Sequence, residues 1–192
     1  IPLNHGQVIR QKWEEWAKEN LTKNFKPIIF KEDTVTMAFI GDIMMHTPQI
    51  NRAENNGRYD FHTYFKNMSK MLSAPDITVA NMEFTLGGKP YTGYPSFSAP
   101  DSYPEYVASC GVDVFLTANN HILDKGAAGI KRTIAQYDRM EEQKKIRYTG
   151  IASDTNDYKS RYPLLLECKG FKIAIVNFTY GTNQGISSLF PK

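Results

Sequence analysis

Apolar and polar positions follow two different periods along the chain. Val8, Ile9, Trp13, Trp16 and Ala17 recur at helical spacing and predict an amphipathic helix over residues 5–20. Residues 24–33 are polar and contain a proline, so residues 1–33 read as an N-terminal helical extension and 34–192 as the main domain. From Thr34 the pattern changes. Residues 34–40, 77–80 and 112–118 are short apolar runs, and the first, ending in Gly41-Asp42, reads as a buried strand. Phe61, Phe65, Met68, Met71 and Leu72 fit one face of a helix, with Pro75 just past its end. Ser102-Tyr103-Pro104-Glu105 matches a capping box and predicts a short helix that Gly111 terminates. Ile130, Ile134, Tyr137 and Met140 mark another helix. Residues 147–151 predict a fourth strand, and residues 164–167 and 171–178, joined by Lys169-Gly170, predict a β-hairpin. Residues 85–100 form a long loop rich in Gly, Pro and Tyr. This alternation of strand and helix predicts an α/β sandwich whose early strands run parallel.

Composition narrows the class. Hydrophobic residues make up 41% of the 192 positions and aromatics 12%, enough for a packed core and incompatible with a disordered chain. The longest apolar runs are short, such as residues 173–176, far below the roughly 20 residues of a membrane-spanning helix. The net charge of +3 comes without a basic patch, so no nucleic-acid partner is expected. Cys110 and Cys168 supply neither a disulfide framework nor a zinc cage and read as small buried hydrophobes.

The chemistry sits where the apolar runs stop. The first run is followed by Asp42, the second by Asn81 and Glu83, the third by Asn119, Asn120 and His121. Spacings of roughly forty residues suit one strand–helix–strand step. Ligands of open α/β sheets bind beyond the carboxyl ends of the strands, so neighbouring parallel strands would gather all three clusters at one edge. Two carboxylates, an amide oxygen and an imidazole make a mixed O/N donor set suited to Mn²⁺, Zn²⁺, Fe or Mg²⁺. Such a set clamps a phosphoryl group, and a histidine beside it serves as general acid. Taken singly, each residue has a plainer reading: Asp42 a cap or turn, Glu83 an exposed charge, Asn119 and Asn120 a turn, His121 a hydrogen-bonded histidine. His46 either adds a ligand or is a loop histidine, and Asp124 either orients His121 or caps the next helix. Asn177 is a further candidate for the same crevice. His5 and His62 lie on predicted helices and read as structural or solvent-facing.

Gly41-Asp42-Ile43-Met44-Met45, Ala80-Asn81-Met82-Glu83, Phe97-Ser98-Ala99-Pro100, residues 118–126 (Ala-Asn-Asn-His-Ile-Leu-Asp-Lys-Gly) and Tyr148-Thr149-Gly150 occur in this order. Together they resemble the CapA family of bacterial capsule and poly-γ-glutamate synthesis proteins, over about residues 34–180. That family is similar to calcineurin-like metallophosphoesterases, so the resemblance implies a layered α/β/β/α sandwich around two divalent metal ions (Mn, Zn or Fe). It implies Asp42, Glu83 and Asn120 as metal ligands and His121 as the phosphate-contacting acid, with His46, Asn81, Asn119 and Asp124 around them. It further implies a cell-envelope protein, exported or membrane-anchored, acting on an anionic polymer or phosphoester and possessing membrane-protein partners of capsule synthesis. A non-catalytic module that binds such a polymer is the alternative. Two departures accompany the likeness. The first strand offers Gly-Asp and a distant His46 where the superfamily opens with Asp-x-His. The family's later His-Trp-Gly-x-Glu and Gly-x-His-x-His motifs do not occur by Lys192, so a truncated copy with weak metal binding and no activity is expected.

Overall fold

The computed structural model describes residues 34–185; the helix expected over 5–20, the extension 1–33 and His5 lie outside the described residues. The chain order begins with β1 (Met37–Ile43), α1 (Thr47–Ala53) and a small hairpin, β2 (Glu54–Asn55) and β3 (Arg58–Tyr59). Two short helices follow, α2 (His62–Phe65) and α3 (Ser69–Leu72), then β4 (Ile77–Met82), α4 (Ser102–Ser109) and β5 (Val114–Leu116). The order ends with α5 (Gly126–Glu142), β6 (Arg147–Thr149), α6 (Thr155–Arg161) and the hairpin β7 (Leu164–Cys168) and β8 (Phe171–Ile175).

The four strands β1-β4-β5-β6 form one sheet in that order, every pair parallel. This is the mixed α/β architecture expected, consistent with a metallophosphoesterase-like fold. The alternation of β4 explains its apolar run. Thr78, Ala80 and Met82 face the helices, while Ile77 and Val79 face the β7–β8 hairpin, so both faces are covered. The helix side carries the larger core: Ile50 and Ala53 of α1, Tyr103 and Val107 of α4, and Ile134, Tyr137 and Met140 of α5. The hairpin contributes Leu164 and Ile175 to a second, smaller cluster. Among the described residues the layers are therefore helices, parallel sheet and hairpin.

Several expectations change. The strand expected over residues 34–40 runs on through Asp42, with a register break between Ile40 and Asp42 that places Gly41 in a bulge. It is not the buried strand expected: among the described residues it is an edge strand, in which Phe39 is exposed and only Ile43 is buried. The single helix expected over residues 61–72 is two turns of helix, α2 and α3. Phe61, Phe65 and Leu72 are buried, but Met68 and Met71 are exposed, so the apolar face is not continuous. The capping box before α4 does not form. Asp101 stands at the N-cap, and its carboxylate instead takes Arg132 of α5 in two bonds of 2.6 and 2.7 Å. Helix α6 has no buried residue, so no periodicity announced it. It is capped by Asp154 and held through Arg161, whose guanidinium reaches Asp138 and Glu141 of α5 and lies 4.4 Å over the Tyr148 ring. Cys110 is buried and Cys168 half-buried, both as free thiols.

One carboxylate ties three strand ends together. Asp76 accepts from the backbone and hydroxyl of Thr36, just before β1, and from the Lys169 ammonium in the β7–β8 turn. Lys169, then Thr36, hold its carboxyl down from the ordinary 3.8 to about 2. A depressed folded-state value means the contribution is present above about 3.8 and is lost as pH falls toward 2. Asp76→Asn is therefore expected to flatten the decline of the melting temperature between these pH values, measured by circular dichroism; an unchanged acid limb would remove Asp76 from the account.

Candidate functional site

The bulge at Gly41 aims Asp42 at the same edge as β4, where it pairs in register with Asn81. The Asn81 amide nitrogen donates to Asp42 Oδ1 at 2.8 Å and to Glu83 Oε2 at 3.0 Å, so one donor holds two carboxylates. The Asn81 oxygen accepts in turn from Asn119 Nδ2 at 3.2 Å. Asn119 also donates to the Met82 carbonyl and accepts from the His121 backbone N–H. It is buried, and it acts as the bracket that joins the β5 exit to β4.

His121 follows on this bracket. Its Nε2 stands 3.9 Å from Glu83 Oε1. Its Nδ1 lies 2.7 Å from Asp124 Oδ2, and since a carboxylate only accepts, Nδ1 carries the proton. The same Asp124 oxygen accepts from the Phe97 N–H at 2.8 Å, while Asp124 Oδ1 is buried without a partner among the described residues. Asp124 thus orients the imidazole. The cap of α5 falls to Lys125, which makes no side-chain cap. Phe97, fully buried in the long loop, meets the imidazole edge-on at 4.6 Å and 88°.

Asn183 completes this arrangement, and sequence reading missed it. Its Nδ2 lies 3.1 Å from His121 Nδ1 and 3.4 Å from Nε2, near-equal distances that put the amide over the ring face rather than in line with either nitrogen. Its backbone N–H donates to the Asn120 carbonyl at 2.8 Å, and its Oδ1 accepts from Asn120 Nδ2 at 3.4 Å. Asn120 is exposed and faces this residue. Asn177 staples the exit of β5, its Oδ1 accepting from the N–H groups of Thr117 and Ala118 at 3.0 and 2.7 Å. Both asparagines follow β8, some sixty residues from their partners; the one signal was the polar stretch closing the last apolar run.

His46 lies one ring away from the cluster. It meets Phe97 edge-on at 5.1 Å, and its backbone N–H bonds Gln49 at the start of α1. His62 is exposed at the start of α2.

The electrostatics favour a cation between the two carboxylates. Burial, then the nearby Asp42 charge, push Glu83 above its ordinary value; His121 and the Asn81 bond pull it part way back. Among the described residues no three His, Cys, Asp or Glu side chains are gathered closely enough to hold a metal ion between them. A divalent ion would thus rest on Asp42, Glu83 and neutral donors, a set that fits a hard or borderline ion.

The model of the bacterial capsule synthesis protein PGA_cap family matches residues 36–191. The chain belongs to the PGA_cap family. Capsule biosynthesis protein CapA of Bacillus anthracis is 27% identical over 167 residues, covering 82% of this chain and 38% of that protein. The uncharacterized proteins y4uA and y4sH of Sinorhizobium fredii (strain NBRC 101917 / NGR234) are each 30% identical over 128 residues, covering 62% of this chain and 25% of each relative. The chain therefore spans well under half the length of these relatives. The strand-end residues Asp42, Asn81, Glu83 and 119–121 all lie inside the matched region. No helix among the described residues is long and apolar enough to cross a membrane.

Proposed function

We propose that this PGA_cap chain carries a divalent-metal-dependent phosphoesterase-type site that works on a cell-envelope polymer or its phosphoester precursor. The observation that supports the reading is the Asp42–Asn81–Glu83 grouping with the Asp124-backed imidazole of His121 beside it. Asp42, Glu83 and Asn120 would hold the metal (Mn, Zn or Fe), which when bound supplies Lewis acidity toward a phosphoryl oxygen and a more acidic water.

The chain's own residues do the rest. Asn81 fixes the two carboxylates side by side, and Asn119 fixes Asn81. Asp124 keeps the proton on Nδ1 of the neutral ring and balances the positive charge when Nε2 is also protonated. Nε2 then presents a proton to a leaving oxygen on the Glu83 side. Phe97 and Asn183 restrict the ring's tilt. Poly-γ-glutamate handling, membrane-protein partners and an exported or anchored location belong to this proposal; capsule-family membership supports the envelope setting in general terms.

The test is metal content and hydrolysis in the same sample. The whole protein, rather than the 192-residue chain alone, is expected to take up Mn²⁺, Zn²⁺ or Fe²⁺ in integral stoichiometry and to hydrolyse bis(p-nitrophenyl) phosphate in a chelator-sensitive way. Metal uptake with polyanion binding and no hydrolysis would favour the non-catalytic polymer module instead; neither metal nor hydrolysis would end both.

A further inference from the structure

A cleft of about 300 Å³ opens beyond the carboxyl ends of β5 and β6, between α6 and the segment following β8. Its wall is aromatic. Tyr158 and Tyr162 stack at 5.1 Å with 14° between their planes, and Phe178 meets Tyr162 at 5.3 Å and 62°. The cation in the lining is Arg161, and it is already surrounded by Asp138, Glu141 and Asp157. An anionic guest would find no unbalanced positive charge there.

Two polar groups remain for a guest. Thr149 lines the cleft, and its hydroxyl is fully buried with no hydrogen-bond partner among the described residues. Such a group costs about 1–3 kcal/mol unless something bonds it. Asn177 also lines the cleft. Its oxygen is engaged by two backbone N–H groups, which leaves its amide nitrogen to donate elsewhere. Gly150 makes this approach feasible: at φ +118° it has no side chain, and a Cβ there would come within 2.3 Å of the Asn177 oxygen.

The cleft neighbours the site described above. Thr179 lines both the cleft and the shallow depression between Asn120 and Asn183, and Ala118 of the lining directly precedes Asn119-Asn120-His121. Its volume is at the small end for ligand pockets, about one ring. We infer that this cleft is the subsite for a neutral sugar ring carried by the phosphoester substrate. The C–H face of a pyranose lies against the electron-rich aromatic wall, and ring hydroxyls satisfy Thr149 and Asn177. A nucleobase would present several edge donors and acceptors to only one hydroxyl and one amide. The sugar assignment rests on the phosphoesterase reading for its role, though not for its binding.

The experiment is saturation-transfer NMR on the full chain, free of metal and phosphate, with the methyl pyranosides of glucose, galactose and N-acetylglucosamine. Ring C–H protons of at least one glycoside are expected to receive saturation. Thr149→Val, which preserves shape, and Phe178→Ala, which removes a 71%-exposed ring, are each expected to weaken that binding about fivefold to tenfold. Absence of signal from all three glycosides, binding of uridine or adenosine in their place, or glycoside binding unaltered in both variants would overturn the assignment. Because neither metal nor turnover enters, failure here leaves the phosphoesterase reading intact. Glycoside binding by a chain that never hydrolyses phosphodiesters would sink that reading alone.

Discussion

Exchanging Asp124 for asparagine is expected to lower phosphodiester hydrolysis by about 10²–10⁴-fold, close to the effect of His121→Ala. The carboxylate is 1% exposed, and its Oδ2 receives both the His121 Nδ1 proton and the Phe97 N–H. An asparagine whose oxygen replaces Oδ2 keeps both bonds, so the loop stays docked. What disappears is the negative charge that balances a protonated ring. The new amide nitrogen would occupy the place of Oδ1, which has no partner among the described residues. The prediction is thus a large loss of rate with only modest loss of stability. Hydrolysis assays read the first and thermal melts the second. A variant that hydrolyses at the parent rate would remove the charge-balancing role of Asp124.

Glu83→Gln is expected to act in opposite directions with and without metal. In the metal-free chain, burial and Asp42 raise the Glu83 carboxyl above its ordinary value. A raised folded-state value means full stability is present below the unfolded value and is lost as pH rises through the folded one. Neutral pH therefore finds the metal-free fold burdened by this charge. The glutamine removes it while an amide hydrogen bond to the Asn81 side chain survives. Melting temperature at pH 7 in chelator should rise by a few degrees, about what 1 kcal/mol gives in a domain of this size. Mn²⁺ affinity, read by calorimetric titration, should fall at least about tenfold, as expected when one of two anionic ligands is lost. A lower melting temperature in chelator, or undiminished affinity, would contradict the proposed ligand role. The proposed ligand role would thus come at the expense of stability, a common pattern at built sites.

Much of this was legible in the chain because burial writes itself into sequence. A strand covered on both faces, such as β4, leaves an unbroken apolar run, and the polar residues that end it mark the sheet's edge. Asp42, Asn81, Glu83 and Asn119 were found that way. The Lys169-Gly170 turn was legible too, since positive φ at both positions, 49° and 82°, suits a tight hairpin turn. Other parts left no such trace. The bulge at Gly41 is a matter of register between two strands, which no single-strand pattern encodes. Helix α6 is anchored by a guanidinium and a cap rather than by an apolar face, so periodicity was silent. Asn183 reaches His121 only because the hairpin folds back under the sheet and returns its end to the edge. Short-range spacing cannot report a contact made across some sixty residues.

That return path has a consequence for motion. The hairpin adds Leu164 and Ile175 as buried side chains to a cluster of five, with Leu166, Cys168 and Ile173 packed partly buried against it, whereas the core beneath the helices is far larger. Segments with few buried apolar contacts open at a lower free-energy cost than the whole domain. The hairpin is thus the least costly layer to detach, and it carries Asn177, Phe178 and Asn183 at its trailing end. One local excursion would uncover the imidazole face and unseal the aromatic cleft together, with the parallel strands still paired. Ring mobility and guest exchange would then share a single clock.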